Sequence, residues 1–149
     1  MVGFTEATNK ILIAGDPVIC EYHDGSTGAI LPGDTVYING TNTIDEGGAP
    51  TGTKNLSIGW ALYEPAHDEW KPDTIATAYA SGAFIPVALR GGPMVLRSRV
   101  VANVYVGSAL MASAAGTGEL NTSTIGTNDI MAIALEATTA AGLAMVLAI

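Results

Sequence analysis

The sequence predicts an all-β protein, a compact β-barrel or sandwich with little helix, and three observations support this fold class. Apolar residues come in bursts of roughly five to eight, separated by turn-rich stretches such as "HDGSTG" and "NGTNTIDEGGAPTGT". Eighteen glycines and seven prolines among 149 residues leave few uninterrupted windows long enough for a helix. Hydrophobic residues make up 48% of the chain and charged residues 13%, which favours a packed core over disorder.

The apolar bursts are the candidate strands. In chain order they are "KILIAGDPVICEY", "DTVYING", "LSIGWALYE", "GAFIPVAL", "PMVLRSRVVANVYVGSAL", "DIMAIALEA" and "GLAMVLAI". Within "MVLRSRVV", Val95, Arg97 and Arg99 alternate with Leu96, Ser98 and Val100, which is the period of a strand. Pro86 in "GAFIPVAL" has no N–H to donate, so we expect that strand at an edge or a bulge.

An internal repeat indicates two related β-units. "IGWALYE" resembles "MAIALEA", and each is followed by a glycine-led burst, "GAFIPVAL" or "GLAMVLAI". "PGDTVYI" and "ANVYVGSALMA" form a weaker upstream match. We therefore predict an N-terminal arm over 1–10, a first unit over 11–89 with an insertion near 65–77, and a second unit over 90–149, with one single domain as the alternative.

The C-terminal stretch "DIMAIALEATTAAGLAMVLAI" has three interpretations: two strands with a tight turn, a buried alanine-rich helix, or a membrane span. Glu136, Thr138, Thr139 and Gly142 lie in its middle, and no basic residues flank it, which argues against a span. The repeat favours two strands.

Charge and cysteine content exclude several classes of function. The formal net charge is −8, and no basic run is present, so neither nucleic acid nor an anionic membrane is an expected partner. Cys20 is the one cysteine, which allows neither an internal disulfide nor a cysteine-based zinc site. We expect Cys20 to be a small buried hydrophobe.

Motifs for catalysis are missing from the sequence. No nucleophile elbow, phosphate-binding loop, dinucleotide fingerprint or zinc-protease motif occurs, and the two histidines, His23 and His67, are predicted to lie in solvated loops. We expect no enzyme activity, no cofactor and no metal; a small hydrolase built on a carboxylate pair is a third hypothesis.

Two groups of residues are candidate interaction sites. Trp60, Tyr63 and Trp70 lie in or beside the insertion, where they form either a contact surface or a small satellite core. Arg90, Arg97 and Arg99 are half of the basic residues and form either an interface or a solvated strand face.

The glycine-punctuated strands resemble those of a known family. "AGDPVICEY", "LPGDTVYI", "LSIGWALYE", "ANVYVGSAL", "IMAIALEA" and "AAGLAMVLAI" follow a pattern similar to that of the small decoration, or cement, proteins of tailed-virus capsids. The resemblance implies a virion protein on the outer capsid surface that binds the major capsid protein, stabilises the lattice and forms a homo-oligomer, with a trimer favoured. The arm, with Phe4, would be a docking element.

A rival hypothesis from another class is a carbohydrate- or ligand-binding β-module. In that reading Trp60, Tyr63 and Trp70 would form a stacking platform.

Overall fold

A computed structural model of the chain describes residues 10–26, 29–47, 56–63, 72–113, 117–123 and 129–149. Within these ranges the chain is all-β, without helix, as the sequence predicts. The strands are β1 (Leu12–Ala14), β2 (Ile19–Asp24), β3 (Thr35–Gly40), β4 (Thr43–Glu46), β5 (Gly59–Ala61), β6 (Phe84–Leu89), β7 (Met94–Val100), β8 (Ala109–Ala112), β9 (Leu120–Thr122), β10 (Ala132–Ala134) and β11 (Gly142–Ala148).

The strands form two closed barrels that follow each other along the chain. The first barrel has the order β2-β4-β3-β5-β6. The second has the order β7-β9-β8-β10-β11, and a parallel contact between β7 and β9 closes it. β1 adds to the outside of the second barrel by pairing antiparallel with β7.

The two barrels have the same topology. When β2 to β6 are placed on β7 to β11 in order, every strand keeps the same neighbours in the same direction. Even the unusual parallel pairs correspond, β2 with β4 and β7 with β9. The predicted pair of related β-units is therefore confirmed.

The correspondence extends to single hydrogen bonds at one turn. Gly33 N–H donates to the Ala61 carbonyl at 2.8 Å, and Gly107 N–H donates to the Ala134 carbonyl at 2.8 Å. Ala61 and Ala134 return bonds of 2.9 Å to the carbonyls of Asp34 and Ser108. Gly33 (φ +88°) and Gly107 (φ +84°) adopt the same left-handed conformation, which explains why both turns contain glycine.

The C-terminal stretch consists of two strands, as the repeat predicts. β10 pairs antiparallel with β11, just as β5 pairs with β6. The pairs Gly59–Leu89 and Ala132–Ala148 make Leu89 equivalent to Ala148. The sequence match had placed Leu89 on Ile149, so it was offset by one residue there.

β7 alternates as predicted, with Leu96, Ser98 and Val100 buried and the residues between them half-buried. The prediction that Pro86 marks an edge or a bulge is wrong, since β6 lies between β5 and β2. The Pro86 carbonyl accepts from Leu62 N–H at 2.8 Å. Pro86 cannot donate in return, and the Tyr79 hydroxyl donates to the Leu62 carbonyl instead.

Two hydrophobic clusters fill the barrels. The smaller belongs to the first barrel: Ile30, Val36, Ile44, Ala61, Tyr79, Ala83, Ile85 and Val87. The larger fills the second barrel and also includes Trp60, Leu62, Tyr63 and Ala88 of the first barrel and Ile11. The larger cluster thus continues across the junction between the two barrels.

The division of the chain between residues 89 and 90 stays a prediction. β1 precedes the first barrel in sequence but pairs with the second. The predicted arm over 1–10 lies outside the described residues except for Lys10, which is exposed.

Candidate functional site: interaction surfaces of the two barrels

Trp60 is the central side chain of the junction between the barrels. It projects from β5 into the larger cluster and has no solvent exposure. Its indole Nε1 donates to Ser98 Oγ at 3.0 Å, and Ser98 Oγ donates to the Gly33 carbonyl at 3.3 Å. A buried indole N–H needs such a partner, so Ser98 on β7 makes the insertion of the ring favourable.

The turn before β3 also enters the second barrel. Arg99 N–H donates to the Gly33 carbonyl at 3.0 Å, and Thr35 N–H donates to the Gly118 carbonyl at 2.8 Å. These backbone bonds join the turn before β3 to β7 and to the segment that precedes β9. The junction is therefore a fixed interface and not a flexible tether.

Asp34 is a buried carboxyl group in this junction. It is 1% exposed; Oδ2 accepts from Leu31 N–H at 2.7 Å, and Oδ1 accepts no hydrogen bond. Arg99 Nε lies 3.9 Å from Oδ1. Burial raises the pKa of Asp34 to about 8, with Arg99 and the Leu31 N–H opposing the shift. Asp34 is thus mostly neutral at pH 7.

Two of the three arginines predicted as an interface hold the barrels of one chain together. Arg99 donates to the carbonyls of Pro32 and Ile75, each at 3.0 Å. Arg90 forms a two-pronged ion pair with Asp129 and donates to the Ile130 carbonyl at 3.1 Å. Arg97 is half-buried on β7 between them.

The aromatic platform does not exist in the predicted form. Trp60 and Tyr63 are both buried, so neither ring can stack on a sugar, and the prediction of an exposed surface is wrong for these two. They instead extend the shared core, which the sequence analysis kept as an alternative. Trp70 and Phe4 lie outside the described residues.

The remaining predicted features also differ in part. His23 lies on β2, where its ring packs on Phe84 with 4.0 Å between ring centroids, so the predicted loop placement is wrong. Cys20 is half-buried on the same strand and not fully buried. His67 lies outside the described residues. Within the described ranges, no three histidine, cysteine or acidic side chains cluster in a way that could hold a metal ion.

Both barrels carry exposed apolar side chains. In the second barrel, Tyr105, Val106 and Leu135 are exposed, at 70%, 67% and 40%. In the first barrel, Ile38 and Phe84 are each 37% exposed. Beside them lies an open, mainly apolar groove of about 510 Å³, lined by Tyr22, Ile38, Leu56, Ser57, Ile58, Leu89 and the Arg90–Asp129 pair.

Sequence reasoning missed the residues that matter most at the junction, Asp34 and Ser98. A signal existed for Asp34, because "GDTV" (33–36) and "GSAL" (107–110) occupy equivalent places. The weaker match of "PGDTVYI" with "ANVYVGSALMA" covers both stretches, but it does not pair Gly33 with Gly107.

No helix in the described part of the chain has the length and hydrophobicity needed to cross a membrane.

The fold is that of a tandem β-barrel protein, and a solved structure shares it. The N base of the head fibre protein gp8.5 of bacteriophage phi29 is similar, with a TM-score of 0.51 at 12% sequence identity. The similarity covers 89% of this chain and 95% of that chain. No protein-family model matches the sequence, and no curated protein matches it.

Proposed function

We propose that this chain is a structural protein of a tailed-virus particle, bound to the outer surface of the capsid lattice. The observation that carries the proposal is the tandem-barrel fold shared with the phi29 head fibre base over nearly the whole of both chains. The glycine-punctuated strands, which resemble those of capsid decoration proteins, support it independently. The major capsid protein is the partner that the resemblance to decoration proteins implies.

The protein acts by binding, without catalysis. Asp34, whose pKa burial raises to about 8, is 1% exposed and lies in the junction between the barrels, where a substrate could not reach it. The described residues expose apolar side chains and an open groove, and such features are typical of protein interaction sites.

A homo-oligomer, with a trimer favoured, is the assembly that we propose. Several copies around one symmetry axis of a lattice convert modest individual contacts into strong overall binding. A rigid pair of barrels suits this role because little conformational entropy is lost on docking.

A binding assay on purified capsid shells tests the proposal. Full-length protein should co-sediment with the shells to a saturating occupancy, and an unrelated β-barrel protein of similar charge should not. Failure of the full-length protein to saturate shells at micromolar concentrations would contradict the proposed function.

Removing residues 1–10 should lower shell occupancy at least tenfold while the thermal midpoint stays unchanged. This deletion keeps Ile11, which is fully buried in the larger cluster. The matched control removes residues 1–14 and so deletes Ile11 and β1 as well; it should lower the thermal midpoint. Equal occupancy of full-length and 11–149 protein would show that the arm does not dock.

A further inference from the structure

We infer that the chain binds a second copy of itself by repeating its internal junction, with the second barrel of one copy docked on the first barrel of the next. This inference rests on the proposed homo-oligomer and names the surfaces that form it. It does not depend on capsid binding.

The internal junction uses different surfaces of the two barrels. The first barrel contributes the β3 turn and the outer face of β5, which we term the inserting surface: Pro32, Gly33, Asp34, Trp60 and Leu62. The second barrel contributes the receiving surface, which includes Arg99, Ser98 and Leu143. Because the barrels share one topology, each also carries the equivalent of the surface that the other uses.

The second barrel exposes the equivalents of the inserting surface. Val106 is equivalent to Pro32, since each precedes its turn glycine, and Val106 is 67% exposed whereas Pro32 is buried. Leu135 is equivalent to Leu62, because their N–H groups bond to the carbonyls of Met145 and Pro86, which occupy equivalent positions. Leu62 has no exposure, and Leu135 is exposed.

The first barrel exposes the equivalents of the receiving surface. The pairs His23–Phe84 and Arg99–Leu143 make Phe84 equivalent to Leu143, and Phe84 is more exposed. The pairs Ile38–Ile44 and Ala112–Leu120 make Ile38 equivalent to Ala112, which is buried. The groove of the first barrel is equivalent to the part of the second barrel's core that Trp60 occupies. Its lining residues Tyr22, Ile38, Ile58 and Leu89 are equivalent, in that order, to Ser98, Ala112, Met131 and Ala148.

Side-chain sizes change in opposite directions at the two contacts. Inside one chain, the large Trp60 meets the small Ser98. Between chains, the equivalent residues are the smaller Ile133 and the larger Tyr22, which lines the groove. The two substitutions offset each other in volume, as packing at an interface requires.

The contact between chains is weaker than the internal one. His23 N–H bonds to the Asn42 carbonyl at 3.0 Å, whereas the equivalent Arg99 N–H bonds to Gly33 of the inserted turn. Docking of Gly107 would therefore have to replace that bond. His23 and Ser108 stand in place of Arg99 and Asp34, so the ion pair is lost as well. We expect association that depends on protein concentration.

A contact between unlike surfaces leaves one unpaired surface of each kind on every open assembly. Such a contact either closes into a ring or continues as a filament. A ring that closes after three chains gives the proposed trimer.

A mixing experiment tests the inference. Val106→Asp disables the inserting surface and Phe84→Asp the receiving surface, with Leu135→Asp and Ile38→Asp as second variants of each. Analytical ultracentrifugation over micromolar to millimolar concentrations should show a concentration-dependent oligomer for the wild type. Each variant alone should remain at the monomer mass of 15.2 kDa.

Mixing one variant of each kind should restore a single 1:1 dimer and nothing larger, because one intact pair of surfaces remains. Two variants of the same kind should stay monomeric when mixed. Ala76→Asp is the control, since Ala76 is exposed in the part of the insertion that has no equivalent in the second barrel, and it should associate like the wild type.

Three results would overturn the inference: a wild type that stays monomeric at millimolar concentration, single variants that still form the full oligomer, or a mixture that stays monomeric. Thermal midpoints separate folding defects from surface defects. If the variants keep self-association but lose shell binding, the two surfaces belong to the capsid partner and the inference fails while the proposed function stands. If the wild type self-associates as described but does not bind shells, the inference stands and the proposed function fails.

Discussion

The two barrels share their strand order, strand directions and turn hydrogen bonds, yet side chains at the junction differ in exposure from their equivalents. The inserting surface is buried in the first barrel, whereas its equivalents Val106, Gly107 and Leu135 are exposed in the second. Leu143 and Ala112 of the second barrel are less exposed than their equivalents Phe84 and Ile38 in the first. The backbone therefore repeats while the side chains at the contacts do not. Comparison of equivalent residues separates what the barrel fold needs from what the junction needs.

Positions inside each barrel show the shared requirement. Val36 and Leu110, Ile44 and Leu120 are all fully buried and apolar. Positions at the junction differ between the barrels: Ser108 occupies the position equivalent to Asp34, and Ile133 the position equivalent to Trp60. Substitutions at equivalent positions should thus change the unfolding free energy by different amounts. Each difference measures how much the junction contributes to stability.

Trp60→Ala should have the largest effect. Removing a fully buried indole from the shared core costs about 3–5 kcal/mol of unfolding free energy, and it leaves Ser98 Oγ without its donor. The equivalent Ile133→Ala should cost roughly 1 kcal/mol, because Ile133 is only half-buried. Urea denaturation measures both values. Equal losses would mean that Trp60 does not tie the barrels together.

Gly33→Ala compared with Gly107→Ala isolates the packing of the turn. Both glycines have φ between +80° and +90°, so the backbone penalty is the same. A Cβ at Gly33 would lie 2.7 Å from Leu143 Cδ2 and 3.0 Å from the Arg97 carbonyl, whereas a Cβ at Gly107 meets nothing within 4 Å. Gly33→Ala should therefore cost roughly 1–3 kcal/mol more in the same denaturation assay.

The same pair also bears on self-association. Gly107→Ala should lower the monomer's unfolding free energy only by the backbone penalty, because no atom lies within 4 Å of the added Cβ. It should also weaken the oligomer, because Gly107 would approach Phe84 of the next copy as Gly33 approaches Leu143 within one chain. Unchanged association of Gly107→Ala would argue that the contact between chains is less close than the internal one.

Much of the fold could be predicted from the sequence. Glycine-spaced apolar bursts and the alternation around Arg97 and Arg99 indicated strands, and the match of "IGWALYE" with "MAIALEA" indicated a repeat. These signals depend on residues that are close in the sequence, so they can be recognised without knowing which strands pair. Pro86 shows where local reasoning fails. It cannot donate a hydrogen bond to the Leu62 carbonyl, and the Tyr79 hydroxyl, which lies outside the strand, donates to that carbonyl instead. The pattern within a single strand does not reveal this replacement.

The interaction surfaces could not be predicted in the same way. An arginine or a tryptophan in a strand has the same sequence signature whether it faces solvent, a second barrel or a second chain. The sequence predicts that Trp60 lies beside the insertion, in either a contact surface or a small core. The pairing of β5 with β6 and β3 is what directs its side chain towards Ser98. No motif in the sequence marks the burial of Asp34, which results from the packing of the two barrels.

Asp34→Asn should have the smallest effect of the three comparisons, and its sign depends on pH. The pKa of Asp34 is about 8 in the folded chain, against an ordinary value of 3.8, so the folded state binds a proton that the unfolded state has lost over this range. Wild-type stability should therefore fall as pH rises from about 4 to about 8. Glu46, whose pKa burial also raises, contributes with the same sign.

Asparagine mimics the neutral carboxyl group and does not ionise, so Asp34→Asn should flatten the stability profile and be more stable than the wild type at pH 8 and above, by about 1–2 kcal/mol. Urea denaturation at pH 5, 7 and 9 measures the profile. The matched variant is Ser108→Asn at the equivalent, partly exposed position, which should leave the pH dependence unchanged. A wild type that gains stability from pH 5 to pH 9 would mean that Arg99 outweighs burial, and the junction would then hold an ion pair in place of a neutral acid.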